Sequence, residues 1–575
     1  MAALLLCLPL SPAWADEHPQ LHLAGEPPGD VADNLRALVD LGHYSCRPGP
    51  AQRALIQRQV RDNSRQALNA LGYFQPTLDQ HWHDADKDHC FALTLNVQVG
   101  PPTLIVKTDI QIQGAAQSDP AFQTAIRQAG LAPGERLRQD RYEALKRNFQ
   151  QLLINRGYVE GKLTVHRLEV DRERRAATIV LHLDSGPRYR FGAIHLTGDP
   201  QLNADLLRAY LQFHSGEPFS NRQLLATQQA YLGAGYFSAV RLERGKPDQQ
   251  NHSIDITIDF SPRNQWALLA GAGVSTDTGP RLRLGVENRR LNRYGHTARA
   301  ETELSDVHKG VGVGYQIPLS DPINEKLDLH TSYLDEQTDT SDSESLSVGA
   351  NFILKTQSGW VVTPSLEYLK ETYQVAEQID RANLVIPGFQ LTRTRADDLI
   401  HPHFGWKIGF KVRGAAEPLF SSTSFVQYDA WAKLILPVPI LGGRLITRGE
   451  AGLTQVPSVR DLPASLRFFA GGDSSVRGFA YQSLGPENDN GDVIGGRDLL
   501  VGSVEYDHPL NDQWSLAVFT DAGNAFNSFD DYDIVHSGGF GVRWNSPLGP
   551  IRIDLARGLE AGQSWRLHLS MGPDL

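Results

Sequence analysis

The sequence predicts two architectures in series: α+β repeats in the amino-terminal half and an all-β transmembrane barrel of about sixteen strands after them. Three observations predict it. A short Gly-aromatic pattern recurs three times before residue 240, each time ahead of an alternating apolar stretch. Helical signals then cease after Ser261-Pro262-Arg263, and alternation of apolar with charged residues takes over. Finally, the chain opens on an export signal, which places an alternating, half-apolar region beyond the cytoplasm.

That signal is residues 1–15: an apolar run from Ala2 to Leu10, then Ala13-Trp14-Ala15 as the cleavage site before Asp16. The run is too short to span a bilayer as a helix. No Lys or Arg precedes it, which leaves the true start codon open. Leu6 before Cys7 is not the small residue a lipoprotein cysteine requires, so no lipidation is expected. The remaining two cysteines, Cys46 and Cys90, read as one disulfide in an oxidising compartment, worth about 4 kcal/mol in the chain-entropy model. With 55 Lys plus Arg against 66 Asp plus Glu among 575 residues, the net charge of −11 gives nucleic-acid binding no support.

The repeats are Leu68-Asn69-Ala70-Leu71-Gly72-Tyr73-Phe74, Leu153-Ile154-Asn155-Arg156-Gly157-Tyr158-Val159 and Tyr231-Leu232-Gly233-Ala234-Gly235-Tyr236-Phe237. Each closes a helix on a Gly suited to a left-handed cap and starts a strand with an aromatic residue. Alternating strands follow at Leu93–Val99, Thr178–Leu183 and Ile254–Phe260, and helices are expected at Pro120–Gln128 and Ala204–Phe213. The unit is strand, helix, helix, strand, strand, repeated over 16–103, 104–187 and 188–262. Such a unit leaves an open sheet edge able to accept a strand from another chain; three plain spacers are the alternative. His81, His83, His89 and Cys90, among Asp84, Asp86 and Asp88, fall in a polar hairpin turn and read as solvated residues, not a metal site.

From 263 to 575 the barrel pattern runs on. Phe540, Val542 and Trp544 alternate with Gly541 and Arg543; Ile551, Ile553 and Leu555 with Arg552 and Asp554; Trp565, Leu567, Leu569 and Met571 with Arg566, His568 and Ser570. Apolar outside and charged inside suits lipid around a wet lumen, although a soluble sandwich shares the period. At roughly 20 residues per strand and turn, the region accommodates about sixteen strands. Trp266, Trp360, Trp431, Trp544 and Trp565 suit an interfacial girdle.

One long segment, 455–496, is not strand-like. Its centre, Arg467 to Pro486, carries Gly471, Gly472, Gly478 and Gly485, yet Val476, Phe479 and Tyr481 are apolar enough to pack. No Gly-Lys-Ser/Thr follows, so a phosphate cradle is not indicated. An ordinary surface loop with a solvated Arg is one reading. The other is a loop folded into the lumen, where Arg477 requires carboxylate partners. Glu505 and Asp521 alternate with Val504, Tyr506 and Val518 and point inward, so Arg477 is expected to meet one or both.

Together, the three units, the barrel, the Val476-Arg477-Gly478-Phe479 tip and the strand motif Phe519-x-Asp521-x-Gly523 resemble the outer-membrane protein assembly superfamily of BamA and TamA, whose repeated units are POTRA domains. Three units and this length are most similar to the TamA branch. The resemblance implies a bacterial outer-membrane protein with POTRA units in the periplasm. It implies a non-enzymatic role in inserting or translocating nascent outer-membrane proteins, autotransporters included, with no cofactor or metal. Implied partners are a TamB-like inner-membrane-anchored protein, the client proteins and outer-membrane lipid, with no nucleic acid. Two rival readings remain: a two-partner secretion transporter of the same superfamily, which usually has two POTRA units and a plug helix, and a role in lipid transport to the outer membrane. An outer-membrane enzyme is disfavoured, since no Gly-x-Ser-x-Gly or His-Glu-x-x-His occurs in the barrel half. The ending Met571-Gly572-Pro573-Asp574-Leu575 departs from the terminal aromatic usual in such barrels.

The closing seam is the expected moving part. Its first strand, with Trp266, Leu268, Gly271 and Gly273, brings little packing, and its last, with Trp565, Leu567, Leu569 and Met571, meets Gly572 and Pro573 early. Positions between Leu268 and Ala272 are expected to face positions between Leu567 and Met571.

Overall fold

The computed structural model describes residues 18–575 except 88, 199, 399, 547, 548, 561, 573 and 575. The expected signal peptide and Pro573 lie outside the described residues. Contacts divide the described residues into two compact bodies, one made of those up to 196 with 212–226 and 242–258, the other of those in 197–211, 227–241 and from 259 onward.

Three βααββ units come first. They are β1 (Gln20–Ala24), α1 (Gly29–Leu38), α2 (Pro50–Ala70), β2 (Thr77–His83) and β3 (Ala92–Gln98); β4 (Leu104–Gln113), α3 (Pro120–Gln128), α4 (Gln139–Arg156), β5 (Lys162–Asp171) and β6 (Ala176–Asp184); and β7 (Arg190–Gly198), α5 (Ala204–Ala209), α6 (Asn221–Gly233), β8 (Phe237–Arg244) and β9 (Ser253–Pro262). In each, the last strand sits in the middle of a three-stranded sheet. It runs parallel to the first strand and antiparallel to the other in the first two units. This central position explains why β3 and β6 are the apolar ones: Leu93, Leu95 and Val97, then Ala177, Ile179, Leu181 and Leu183, are buried. Gly72, Gly157 and Gly235 all take left-handed angles (φ +88°, +81° and +82°), which a side chain disfavours. At Gly157 the cap N–H returns to the Leu153 carbonyl of α4.

Cys46 and Cys90 are disulfide-bonded across 44 positions, tying the α1–α2 connection to the start of β3. His89 bonds Asp86 within its own turn (Nδ1 to Oδ1, 3.2 Å), as a solvated hairpin does. The expected helix Ala204–Phe213 is shorter: α5 stops at Ala209, because Phe213 instead stacks on Phe191, ring centroids 4.0 Å apart.

The second region is a single sixteen-stranded antiparallel sheet in chain order. It runs from β10 (Trp266–Ser275) and β11 (Gly279–Asn288), through β12–β17 between 297 and 396, to β18 (Gly405–Ala415), β19 (Phe425–Val438), β20 (Gly443–Gln455), β21 (Asp498–Pro509), β22 (Trp514–Phe526), β23 (Val535–Ser546), β24 (Gly549–Gly558) and β25 (Arg566–Met571). Period-two alternation sorts it into two faces. Val504 and Val518 are 47% and 56% exposed on the outside, whereas Ser503, Glu505 and Asp521 are buried inside. Among the described residues no helix is long and apolar enough to cross a membrane.

The segment between β20 and β21 folds back into the barrel. Its beginning, Val456 to Leu466, packs on Leu369, Tyr373, Leu384, Ile386 and Phe425. Its middle seats Ala470, Val476 and Phe479 against Leu499, Val501 and Ala525.

Candidate functional site

Arg477 lies at the tip of this loop, 5% exposed, and all five guanidinium N–H groups are engaged. Nε and Nη2 donate to the two oxygens of Asp521, both at 2.8 Å, the bidentate geometry a carboxylate favours. Nη1 donates to Glu505 at 2.7 Å and Asp554 at 3.2 Å, and Nη2 to Ser503 Oγ at 3.1 Å. The Arg477 backbone N–H also reaches Asp521, at 3.0 Å. The guanidinium carbon stands 3.3 Å from the Phe519 ring centroid, so the ring of the strand motif forms the floor of the site. Arg543 joins Glu505 to Asp554, and Arg448 stands 3.8 Å from Asp521. Three cations thus meet three carboxylates, and none of the buried charges is left alone.

Two glycines make this docking sterically possible. Gly478 has φ +93°, and a Cβ there would come 2.8 Å from the backbone of Arg557 and Gly558. At Gly523, a Cβ would collide with the Leu500 carbonyl and Val501 of the neighbouring strand.

Four residues before Arg477 the same loop grips the seam. Asp473 accepts from Ser275 Oγ (2.9 Å) and Thr276 Oγ1 (3.0 Å) at the end of β10, and from His568 Nδ1 (2.6 Å) on β25. The Gly478 N–H donates to His568 Nε2 at 2.8 Å, which assigns the ring proton to Nδ1. The Asp473 N–H donates to Asp277 in the β10–β11 turn at 2.7 Å. Asp277, Asp473 and His568 bring ligand atoms within 4.8 Å of one another, the one such group among the described residues. Both ring nitrogens of His568 are already engaged, and the group acts as a hydrogen-bonded clasp. Burial, followed by the Asp473 charge, pushes the Asp277 carboxyl up to about 6.

The seam itself is sparsely bonded. The sheet runs from β10 to β25 without a ladder between these two. Among the described residues they share a backbone bond from Thr276 N–H to the Leu569 carbonyl (3.3 Å) and one from Leu569 N–H to Thr276 Oγ1 (3.1 Å). The seam strands otherwise stand open: Trp266 is 61% exposed and Leu268 86%. Trp565, Leu567 and Met571 are exposed as well, with β25 paired only to β24, six residues of each.

The expected facing of Leu268–Ala272 with Leu567–Met571 is corrected. The Thr276–Leu569 register puts Met571 opposite Val274, because strand stagger brings the short last strand to the far end of β10. Beyond Met571 the chain turns inward, where Asp574 binds Arg552 at 2.6 Å and Arg444 at 3.0 Å. Gly271 would tolerate a Cβ, with nothing within 4 Å, which agrees with a strand that packs lightly.

Arg477, Asp521, Glu505, Phe519 and Gly523 therefore converge, while the seam residues stand apart from them on two strands. The sequence reading missed Ser503, Arg543, Asp554, Asp473 and His568. Asp554 and Arg543 were within reach, since their strands alternate as clearly as those of Asp521 and Glu505. Asp473 and His568 were not, because their pairing depends on how the sheet curls round.

A family model for the Omp85 superfamily domain matches residues 231–573. A model for POTRA domain TamA domain 1 matches 21–99, and a POTRA model described as surface antigen variable number repeat matches 189–263. The outer membrane protein assembly factor BamA of Neisseria meningitidis serogroup B is 22% identical over 504 residues, covering 74% of this chain and 61% of that protein. BamA of Nitratidesulfovibrio vulgaris is 24% identical over 405 residues, covering 65% and 50%. The chain thus spans between half and about three fifths of the length of these relatives. BamA from Haemophilus ducreyi lacking POTRA domains 1–3 shares the fold, with a TM-score of 0.67 at 17% identity over 81% of this chain and 98% of that one.

Proposed function

The chain belongs to the Omp85 superfamily, and from that premise we propose that it inserts or translocates other outer-membrane proteins by opening the β10–β25 seam. It does so in the bacterial outer membrane, with its POTRA units in the periplasm and no catalytic step. The observation that carries the reading is the free edge of β10: from Trp266 toward Gly273 it pairs with β11 alone among the described residues. An unpaired edge at membrane depth is costly, and a client strand added there satisfies it.

The finer reading is a TamA-type factor serving clients such as autotransporters and docking a TamB-like inner-membrane-anchored protein. The first unit's match to a TamA POTRA model supports it, and so does the count of three units, which disfavours a two-partner secretion transporter.

Site-specific photocrosslinking of the full chain tests the proposal. A crosslinker at Leu268 on the free edge should capture a client arrested during assembly. The same group at Val518, which is also lipid-facing but lies in the middle of the wall, should not. Equal capture at both positions, or none at Leu268, removes the seam as the route. Pull-down with the full chain from envelope extract tests the partner: a large β-rich inner-membrane-anchored protein supports the TamA-type reading, and a secreted adhesin alone supports the transporter.

A further inference from the structure

Three cations stand side by side on consecutive barrel strands. Lys407 on β18 lies directly opposite Lys433 on β19, and Lys433 directly opposite Arg448 on β20. The same cross-strand row continues through Ser503 to Asp521, so all three share the inward face that carries the Arg477 site. Like charges directly opposite in an antiparallel pair destabilise it, and here two such pairs are adjacent. The protein satisfies only one of the three. Arg448 Nη2 donates to the Ser475 carbonyl at 2.6 Å and approaches Asp521 at 3.8 Å. Lys407 and Lys433, both half-buried, have no hydrogen bond or ion pair among the described residues.

These side chains line a cavity of about 380 Å³, together with Trp431, Glu450, Ser474, Ser475 and Asp574. Of its two carboxylates, Asp574 is committed to Arg444 and Arg552. Arg448 is balanced by Asp521, which leaves Lys407 and Lys433 against Glu450, a surplus of about one positive charge lining the cavity. A tetrahedral phosphate carries up to two negative charges and several acceptor oxygens, the complement of two free ammonium groups, a guanidinium and two serine hydroxyls. The volume exceeds that of a bare phosphate, leaving room for a group attached to it beside Trp431, which shares the inward face of Lys433 and so does not belong to the expected interfacial girdle.

We propose that this cavity binds a phosphate-bearing ligand, either free phosphate or a phosphorylated lipid headgroup, held by Lys407, Lys433 and Arg448. Ser474 and Ser475 belong to the lumenal loop, so the site is complete only while the loop is docked, and its occupation favours the docked loop.

The test uses the full chain in phosphate-free nonionic detergent, with inorganic phosphate titrated at constant ionic strength against chloride. Protection of the loop from protease and the melting temperature are the readouts. Saturable protection is expected, weakened about tenfold or more in Lys407→Gln/Lys433→Gln and retained in Lys433→Arg. The change at Lys309 on an earlier strand, Lys309→Gln, should leave it unaltered. Dihexanoyl phosphatidic acid, compared with dihexanoyl phosphatidylcholine and inorganic phosphate, separates the sources: tighter binding of the phosphatidic acid assigns a headgroup, and tighter binding of phosphate assigns the free anion. Heat-modifiable migration of each variant confirms a folded barrel. Absence of saturable protection by any of these probes, or equal protection in the folded double variant, overturns the proposal.

Discussion

The wall from β21 to β24 and the seam between β10 and β25 are built from the same alternating pattern, yet one is closed and the other is barely joined. The β21–β22 ladder pairs twelve residues of each strand, from Asp498 with Phe526 to Pro509 with Ser515. At the seam a single short region around Thr276 and Leu569 makes contact. One loop holds both: Arg477 is locked into the wall by a balanced buried ion network, and Asp473 holds the seam through hydroxyls, an imidazole and a turn. Opening is therefore less costly at the seam than at the wall. Releasing the wall end leaves charges stranded in a low-dielectric site, whereas releasing the seam end exchanges a few hydrogen bonds for water.

The largest effect is expected at the wall. Arg477→Ala leaves Asp521 without its bidentate partner, at a cost of roughly 3–5 kcal/mol, and protease should cut the variant loop far faster than the wild-type one. Arg477→Lys should rescue only in part, because one ammonium cannot span Asp521, Glu505 and Asp554. Cleavage of the alanine variant at the wild-type rate would show that the loop is not pinned there. Next comes a pair of glycines that separates the two regions by sterics. Gly478→Ala forces a side chain at φ +93° against the Arg557 and Gly558 backbone, so undocking by at least ~1–3 kcal/mol is expected. Gly271→Ala on the seam strand should stay within about 0.5 kcal/mol in denaturant titration. Equal effects of the two would erase the contrast.

Asp473→Asn should act on the seam alone. It weakens the bond to His568 and those to Ser275 and Thr276, at about 1–2 kcal/mol, and amide exchange should quicken at the end of β10 and in β25 but not in β21–β24. Acceleration in both regions would mean that the loop acts as one rigid piece. The smallest effect is on pH. Asp277 has its carboxyl raised from 3.8 to about 6, by burial first and the Asp473 charge second. The protonated form is therefore the one the clasp favours, and its contribution is complete below about pH 4 and lost as pH rises through about 6. Seam exchange should quicken across that interval and level off above it, and Asp277→Asn should flatten the profile. A profile unchanged by that substitution would assign the dependence to another group.

Much of the fold was legible in the sequence because each device has a local signature. The Gly72, Gly157 and Gly235 caps mark the units, and strict alternation marks the inward faces on which Asp521 and Glu505 sit. Residue-level partners were legible only where alternation and the loop sufficed. The Asp473–His568 bond joins residues 95 positions apart, and the Ser275 bond residues 198 positions apart, through the curl of the whole sheet. No local pattern encodes that stagger. The same stagger shifted the seam register from Leu268–Ala272 to Val274 opposite Met571. Asp574 escaped notice too, since nothing near it in sequence announces that Arg444 and Arg552 wait inside.

On the proposed function the seam moves while the wall stays closed, and a disulfide across the seam decides whether it does. Val274→Cys with Met571→Cys places thiols on facing, outward positions of β10 and β25, clear of the clasp and of the Arg477 network. Client assembly by the reconstituted full chain should stop on oxidation and return on reduction, with the fold and the Arg477 docking unchanged in both states. Assembly at the reduced protein's rate while the bridge is intact would contradict it.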